Sequence, residues 1–288
     1  MTTTIKSVGI AGSGLMAAGI AEVMATTGHE VVMRCRSQGS ADKVQGKIEG
    51  SLARQLEKGT MGEGEHAEVL DRIHVTTDLE RLDVCELVIE TVVEDLAVKK
   101  DLFRQLDDVC RDDAILTTNT STLPVVEMAM ATDRPERVLG LHFFNPATKM
   151  PLVEVVPAIT TAPEVVDTVR EFAVQCRKEP VTVKDSAGFI VNALLFPYLN
   201  SAVKMLESGV ATKEDIDAAM KGGCGFPMGP LALLDLIGLD TSVAVLHALQ
   251  EERNDSCCNP APLLKRMVTA RQLGRKTGQG FYTYPARH

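Results

Sequence analysis

The sequence predicts an α/β fold: a doubly wound parallel sheet with an inserted helical pair, followed by an all-α C-terminal domain. Three observations carry this. Short apolar strands alternate with helical stretches through the first 184 residues. A glycine turn joins the first strand to the first helix. The alternation stops at KDSAGF, residues 184–189, and helical periodicity runs on from there. The expected domains are therefore 1–184 and 185–288.

Ser7 to Ala11 form the first strand, and GSGLMAAGIAEVMATTG opens a helix that Gly28 stops. Glu30 to Met33 form the second strand. Residues 38–70 are charged and helical without a strong strand signal, hence the inserted pair. Leu87 to Glu90, Ile115 to Thr118 and Val138 to His142 follow as strands, separated by helices such as Val98 to Val109. Pro180 to Val183 form the last strand. In the second half, Val191, Leu194, Leu195, Tyr198, Ala202, Met205 and Leu206 recur at helical spacing. Thr212 to Asp215 resembles a capping box. Residues 229–240, GPLALLDLIGLD, are apolar nearly all round, which predicts one buried helix.

The composition is that of an ordinary soluble globule, 45% hydrophobic and 24% charged. A net charge of -9 repels DNA and anionic lipid, which argues against nucleic acid as a partner. The opening MTTTIKSVGIAG lacks the regions of a signal peptide, and no long uncharged apolar window predicts a membrane span. Seven cysteines without a C-x-x-C pair fit reduced thiols in a cytoplasmic protein, with no metal site.

Gly12-Ser13-Gly14-Leu15-Met16-Ala17 matches G-x-G-x-x-[GA] where a strand meets a helix. That context makes it a Rossmann-type dinucleotide turn. Gly12 permits the bend, Gly14 admits a pyrophosphate, and Leu15 and Met16 open the helix whose amides face it. An acid for the ribose 2′-hydroxyl is expected about 20 residues on. The chain instead reads Arg34-Cys35-Arg36-Ser37. A 2′-phosphate carries about -1.5 to -2 charge, and arginines beside it favour NADP, with NAD the alternative.

The stretch VLGLHFFNPATKMPLVEVV, residues 138–156, reads strand, apolar turn, strand. His142 ends the first strand and Glu154 sits among Leu152, Val153, Val155 and Val156. A carboxylate in such a run needs a partner, and an imidazole is the natural one. The acid would hold the ring in one tautomer, making a general base.

Together these segments resemble the L-3-hydroxyacyl-CoA dehydrogenase family, in particular its short-chain 3-hydroxybutyryl-CoA members. The marks are GSGLMAAGIA, VIETVVEDLAVKKDLF, NTST at 119–122, GLHFFNP at 140–146, LVEVV, DSAGFIVNALL, GCGFPMGPLALLDLIGLD and LGRKTGQGFYTY. The resemblance implies hydride transfer at C3 of a short (3S)-3-hydroxyacyl-CoA, and the apolar surplus of the helical half, too thin a core alone, points to substrate and homodimer contacts there. It implies His142 and Glu154 as the catalytic pair, with Ser121 and Asn192 on the substrate. It further implies Glu94, Lys99, Asn119 and Asn145 beside the cofactor, and Ser51 and Lys58 on coenzyme A. The departures are Cys35 for an acid, Thr122 for a common serine and Ala193 for a frequent arginine. Alternatives are the same chemistry on a carrier-protein-bound substrate, or a non-catalytic crystallin-like relative. A β-hydroxyacid dehydrogenase would carry a lysine four residues before Asn192, where this chain has Gly188.

Overall fold

The computed structural model describes residues 4–285. The chain divides into two compact units, Met1–Asp185 and Ser186–His288.

The first unit is built on one eight-stranded sheet. Its strands are β1 (Ser7–Ala11), β2 (Glu30–Arg34), β3 (Ile73–Thr76), β4 (Leu87–Glu90), β5 (Ile115–Thr118), β6 (Val138–Phe143), β7 (Leu152–Pro157) and β8 (Glu179–Thr182). They lie in the order β3-β2-β1-β4-β5-β6-β7-β8. The helices are α1 (Leu15–Thr26), α2 (Gln38–Glu57), α3 (Glu63–Asp71), α4 (Leu96–Val109), α5 (Val125–Ala129) and α6 (Pro163–Gln175). Val8, Ile10, Ile20, Met24, Val31, Met33 and Ile89 form part of one buried cluster. Each such side chain contributes about 1.5–3 kcal/mol by leaving water.

Two features of the sheet differ from the sequence expectation. β3 has no counterpart in it, because His74 and the half-exposed Ile73 and Val75 give this edge strand little apolar signal. The sheet is also not wholly parallel: β7 returns antiparallel to β6, and β8 then runs parallel to β7. Only eight residues connect β6 to β7, too few for a helical crossover, so the pair closes as a hairpin.

The second unit is helical: α7 (Val191–Glu207), α8 (Lys213–Cys224), α9 (Pro230–Ile237), α10 (Leu239–Arg253) and α11 (Pro262–Thr269). On α7 the buried residues are Ala193, Phe196, Leu199, Asn200, Ala202 and Val203, while the expected Leu194 and Met205 are 71% and 45% exposed. Other members of the stripe hold, with Ala202 in the core and Leu195, Tyr198 and Leu206 packed against it, while the polar Asn200 takes a core place that no apolar pattern marks. It is fully buried and bonds the backbone of Cys257, Asn259 and Ala261. The single helix expected over 229–240 is broken at Gly238, where α9 and α10 meet at 98°. No single helix among the described residues is long and apolar enough to cross a membrane, and α9 and α10 pass that test only as a bent pair. Their Leu231, Leu234, Leu239, Leu246 and Leu249 fill this unit's own core. All seven cysteines are unbridged; the adjacent Cys257 and Cys258 hold their sulfurs 3.9 Å apart.

Candidate active site

The hairpin register sets His142 directly opposite Glu154. Such cross-strand neighbours place their side chains within reach. The His142 Nδ1 to Glu154 Oε2 distance is 2.7 Å, and both residues are buried. A carboxylate only accepts, so Nδ1 carries the hydrogen and the Nε2 lone pair faces outward. Ser121, in the loop after β5, brings its Oγ to 3.1 Å from Nε2. The Phe144 ring packs on the imidazole with centroids 4.6 Å apart. The result is a line of hydroxyl, imidazole and carboxylate, the geometry of a proton acceptor held by an orienting acid.

Ser121 is itself held. Glu94 Oε1 accepts from the Ser121 amide at 2.9 Å and from Thr120 Oγ1 at 2.5 Å. Asn119 directs its side-chain oxygen to the Phe143 amide at 2.8 Å, tying the end of β5 to the end of β6 beside His142. Lys99 is 1% exposed and its ammonium contacts Glu90 and Glu94. Glu90, absent from the sequence-based candidates, is fully buried. Asn192 stands on the first turn of α7, in the other unit.

A cavity of about 610 Å³ opens at the glycine turn. Gly12, Ser13 and Gly14 line it together with Arg34, Arg36, Ser37 and Ser40, and with Asp101 and Gln105 from α4. Gly12 has φ +152°, and a Cβ there would lie 2.2 Å from Thr91 Oγ1, so no other residue fits. A Cβ on Gly14 would meet nothing within 4 Å, leaving the approach to the α1 amides open. No side chain caps α1, and its first turn carries no acid. The pyrophosphate reading of this turn therefore has both space and donors. Cys35, just past the end of β2, is buried in the core and does not line the cavity, whereas Arg34 and Arg36 on either side of it do. The Arg34 Nε is buried without an acceptor. Ser37 caps α2 through a reciprocal bond with Ser40.

A second cavity of about 580 Å³ lies between α1, α2 and the 145–148 segment. Leu15, Ser51 and Asn145 line it, so these three candidates meet there rather than at the glycine turn. Its basic lining is Lys43, Lys47 and Arg54. Lys58 ends α2 as its C-cap and is not among the lining residues. The signal for the others was present: Lys43, Lys47, Ser51 and Arg54 fall on one helical face at spacings of four, four and three. Glu22 also lines this cavity; burial pushes its carboxyl above the ordinary range, against bonds from Ser51 and Gln55.

The two family models that match are 3-hydroxyacyl-CoA dehydrogenase, NAD binding domain, over residues 7–186, and its C-terminal domain, over residues 188–284. The chain belongs to the 3-hydroxyacyl-CoA dehydrogenase family. It is 46% identical over 275 residues to a 3-hydroxybutyryl-CoA dehydrogenase of Clostridioides difficile, covering 96% of this chain and 98% of that one. Among solved structures it is similar to FadB2 of M. tuberculosis, with TM-score 0.97, 46% identity, and coverage of 98% and 100%. It is also similar to (S)-3-hydroxybutyryl-CoA dehydrogenase from Ralstonia eutropha, with TM-score 0.95, 40% identity, and coverage of 98% and 100%.

Proposed function

We propose that this chain transfers hydride reversibly between a nicotinamide cofactor and C3 of a short (3S)-3-hydroxyacyl-CoA, as a 3-hydroxybutyryl-CoA dehydrogenase. The line Ser121, His142, Glu154 carries the reading, in a chain nearly half identical to enzymes of that name. When bound, the cofactor supplies the hydride acceptor or donor. The chain supplies the rest. In oxidation His142 Nε2 takes the 3-hydroxyl proton, and in reduction it returns it. Glu154 fixes the tautomer through Nδ1 and stabilises the imidazolium. Ser121 and Asn192 donate hydrogen bonds to the C3 oxygen or the thioester carbonyl. The second cavity, with Lys43, Lys47, Ser51 and Arg54, suits the phosphates of coenzyme A.

NADP is the proposed cofactor. Arg34, whose Nε is orphaned, Arg36, and Ser37 and Ser40 at the start of the 20-residue α2 line one cavity. A charge-assisted hydrogen bond contributes about 1.5–3 kcal/mol, or roughly 10- to 150-fold in affinity. The test is turnover of acetoacetyl-CoA with NADPH and NADH in parallel. We expect kcat/KM at least about tenfold higher with NADPH. Arg36→Ala should erase much of that preference by weakening NADPH alone. Equal efficiency, or a preference for NADH, restores NAD; no turnover with either removes the enzyme assignment. The protein is proposed to be cytoplasmic and homodimeric, the helical unit leaving Leu194, Met205, Phe226 and Leu236 exposed for a second copy. Sedimentation of the full chain as a monomer would exclude the dimer.

A further inference from the structure

Glu90 closes β4, the strand that leads into the loop bearing Glu94. Its carboxylate is saturated with donors. Lys99 Nζ reaches both oxygens, at 2.7 and 2.8 Å. The Val92 amide donates to Oε1 at 2.6 Å, and Thr118 Oγ1 donates to Oε2 at 2.7 Å. A buried ion pair of this kind is weak evidence for stability, since two apolar side chains would often serve as well. Its placement says more than its energy. The same ammonium lies 3.4 Å from Glu94 Oε2. Glu94, with its side chain 40% exposed, presents its other oxygen to Thr120 Oγ1 and the Ser121 amide. Ser121 Oγ in turn stands 3.1 Å from His142 Nε2. One continuous chain of polar contacts thus runs from a fully buried carboxylate to the face of the imidazole that meets substrate.

Resting on the hydride-transfer reading, we infer that Glu90 is a positioning residue: with Lys99 it anchors Glu94, and through Glu94 it sets the place of Ser121 against His142. Lys99 is the only cation among the described residues in ion-pair range of Glu94. Without it, a half-exposed carboxylate on a loop turns to water, and the Ser121 amide loses a fixed acceptor. Small displacements of a group that orients the reacting oxygen are costly in rate even when binding is unchanged.

The test uses the full chain. Glu90→Gln with Lys99→Met removes both charges at similar volume, so neither is left buried alone. Turnover at saturating cofactor should fall roughly tenfold, whatever change the loss of Lys99 makes to the cofactor KM. In a Ser121→Ala background the same pair should cost less than about twofold, because the route runs through Ser121. Equal losses in both backgrounds, or a loss confined to cofactor KM, overturns the inference. If the double variant does not fold, Glu90→Gln alone carries the same cycle, since Lys99 keeps Glu94 as its counter-ion, and unchanged turnover in that variant also overturns it. A nitrogen-15 spectrum of the His142 imidazole adds a readout that needs no turnover. Glu90→Gln should shift the Nε2 signal in the Ser121 enzyme and leave it unmoved in Ser121→Ala; any other pattern counts against the chain of contacts. Wild-type turnover of acetoacetyl-CoA is scored separately, so failure of the hydride-transfer reading cannot be mistaken for failure of this one.

Discussion

The two units bury carboxylates to different ends. In the sheet unit, Glu154 faces an imidazole and Glu90 an ammonium. In the helical unit, Asp217 accepts from the amides of Leu231 and Ala232, capping the start of α9, and from Tyr282. Asp235 accepts from the amides of Phe281 and Tyr282 and from Tyr284. Burial pushes the Asp235 carboxyl above its usual range, while those donors pull it back. A carboxylate facing another titratable side chain can share a proton or steer a charge. One facing backbone amides fixes the path of the chain. The partner, more than the depth of burial, separates a site from a staple.

That contrast can be broken in order of expected effect. His142→Gln keeps a donor toward Glu154, so unfolding should stay close to wild type while kcat falls by about 10²- to 10⁴-fold, the usual size of a proton-transfer contribution. A folded variant with near wild-type turnover would end the assignment. Asp235→Ala should show the opposite signature. The amides of Phe281 and Tyr282 lose their acceptor at about 1–3 kcal/mol each, and thermal unfolding should come several degrees earlier. The kcat per folded molecule should hold. Lost turnover at unchanged stability would show that Asp235 belongs to the chemistry. The smallest effect is expected at the second cavity. Arg54→Ala should raise the acyl-CoA KM several-fold, and Lys58→Ala by less than about twofold, since an exposed charge outside the cavity contributes about 0–1 kcal/mol. The reverse ranking would return the coenzyme A contact to Lys58.

Much of the frame was legible because it rests on local chemistry. The strand, glycine turn and helix at the N-terminus follow from Gly12 and the apolar run before it. The pairing of Glu154 with His142 follows from the cost of an unpartnered acid in a strand. What stayed hidden depends on tertiary partners. Glu90 ends the strand LVIE like any polar strand terminus, and only its contact with Lys99, nine residues on, gives it a role. Cys35 reads as the replacement for a ribose-binding acid, yet it packs into the core and leaves the cavity to Arg34 and Arg36. The α7 stripe placed Ala202, Leu195, Tyr198 and Leu206 correctly but missed Asn200, because a buried asparagine bonded to backbone looks polar in sequence.

The hairpin that pairs His142 with Glu154 makes their meeting a matter of counting. Substitutions around the pair leave it opposed, whereas one residue inserted into either strand turns one partner to the far side of the sheet. The segment 144–151 between the strands lies outside that alternation, but it is tied to the site in another way, through Phe144 on the imidazole and residues 145–148 along the second cavity. Variation among descendants of such a chain is thus closed to shifts of frame in the strands: the dyad tolerates new neighbours but not a moved register.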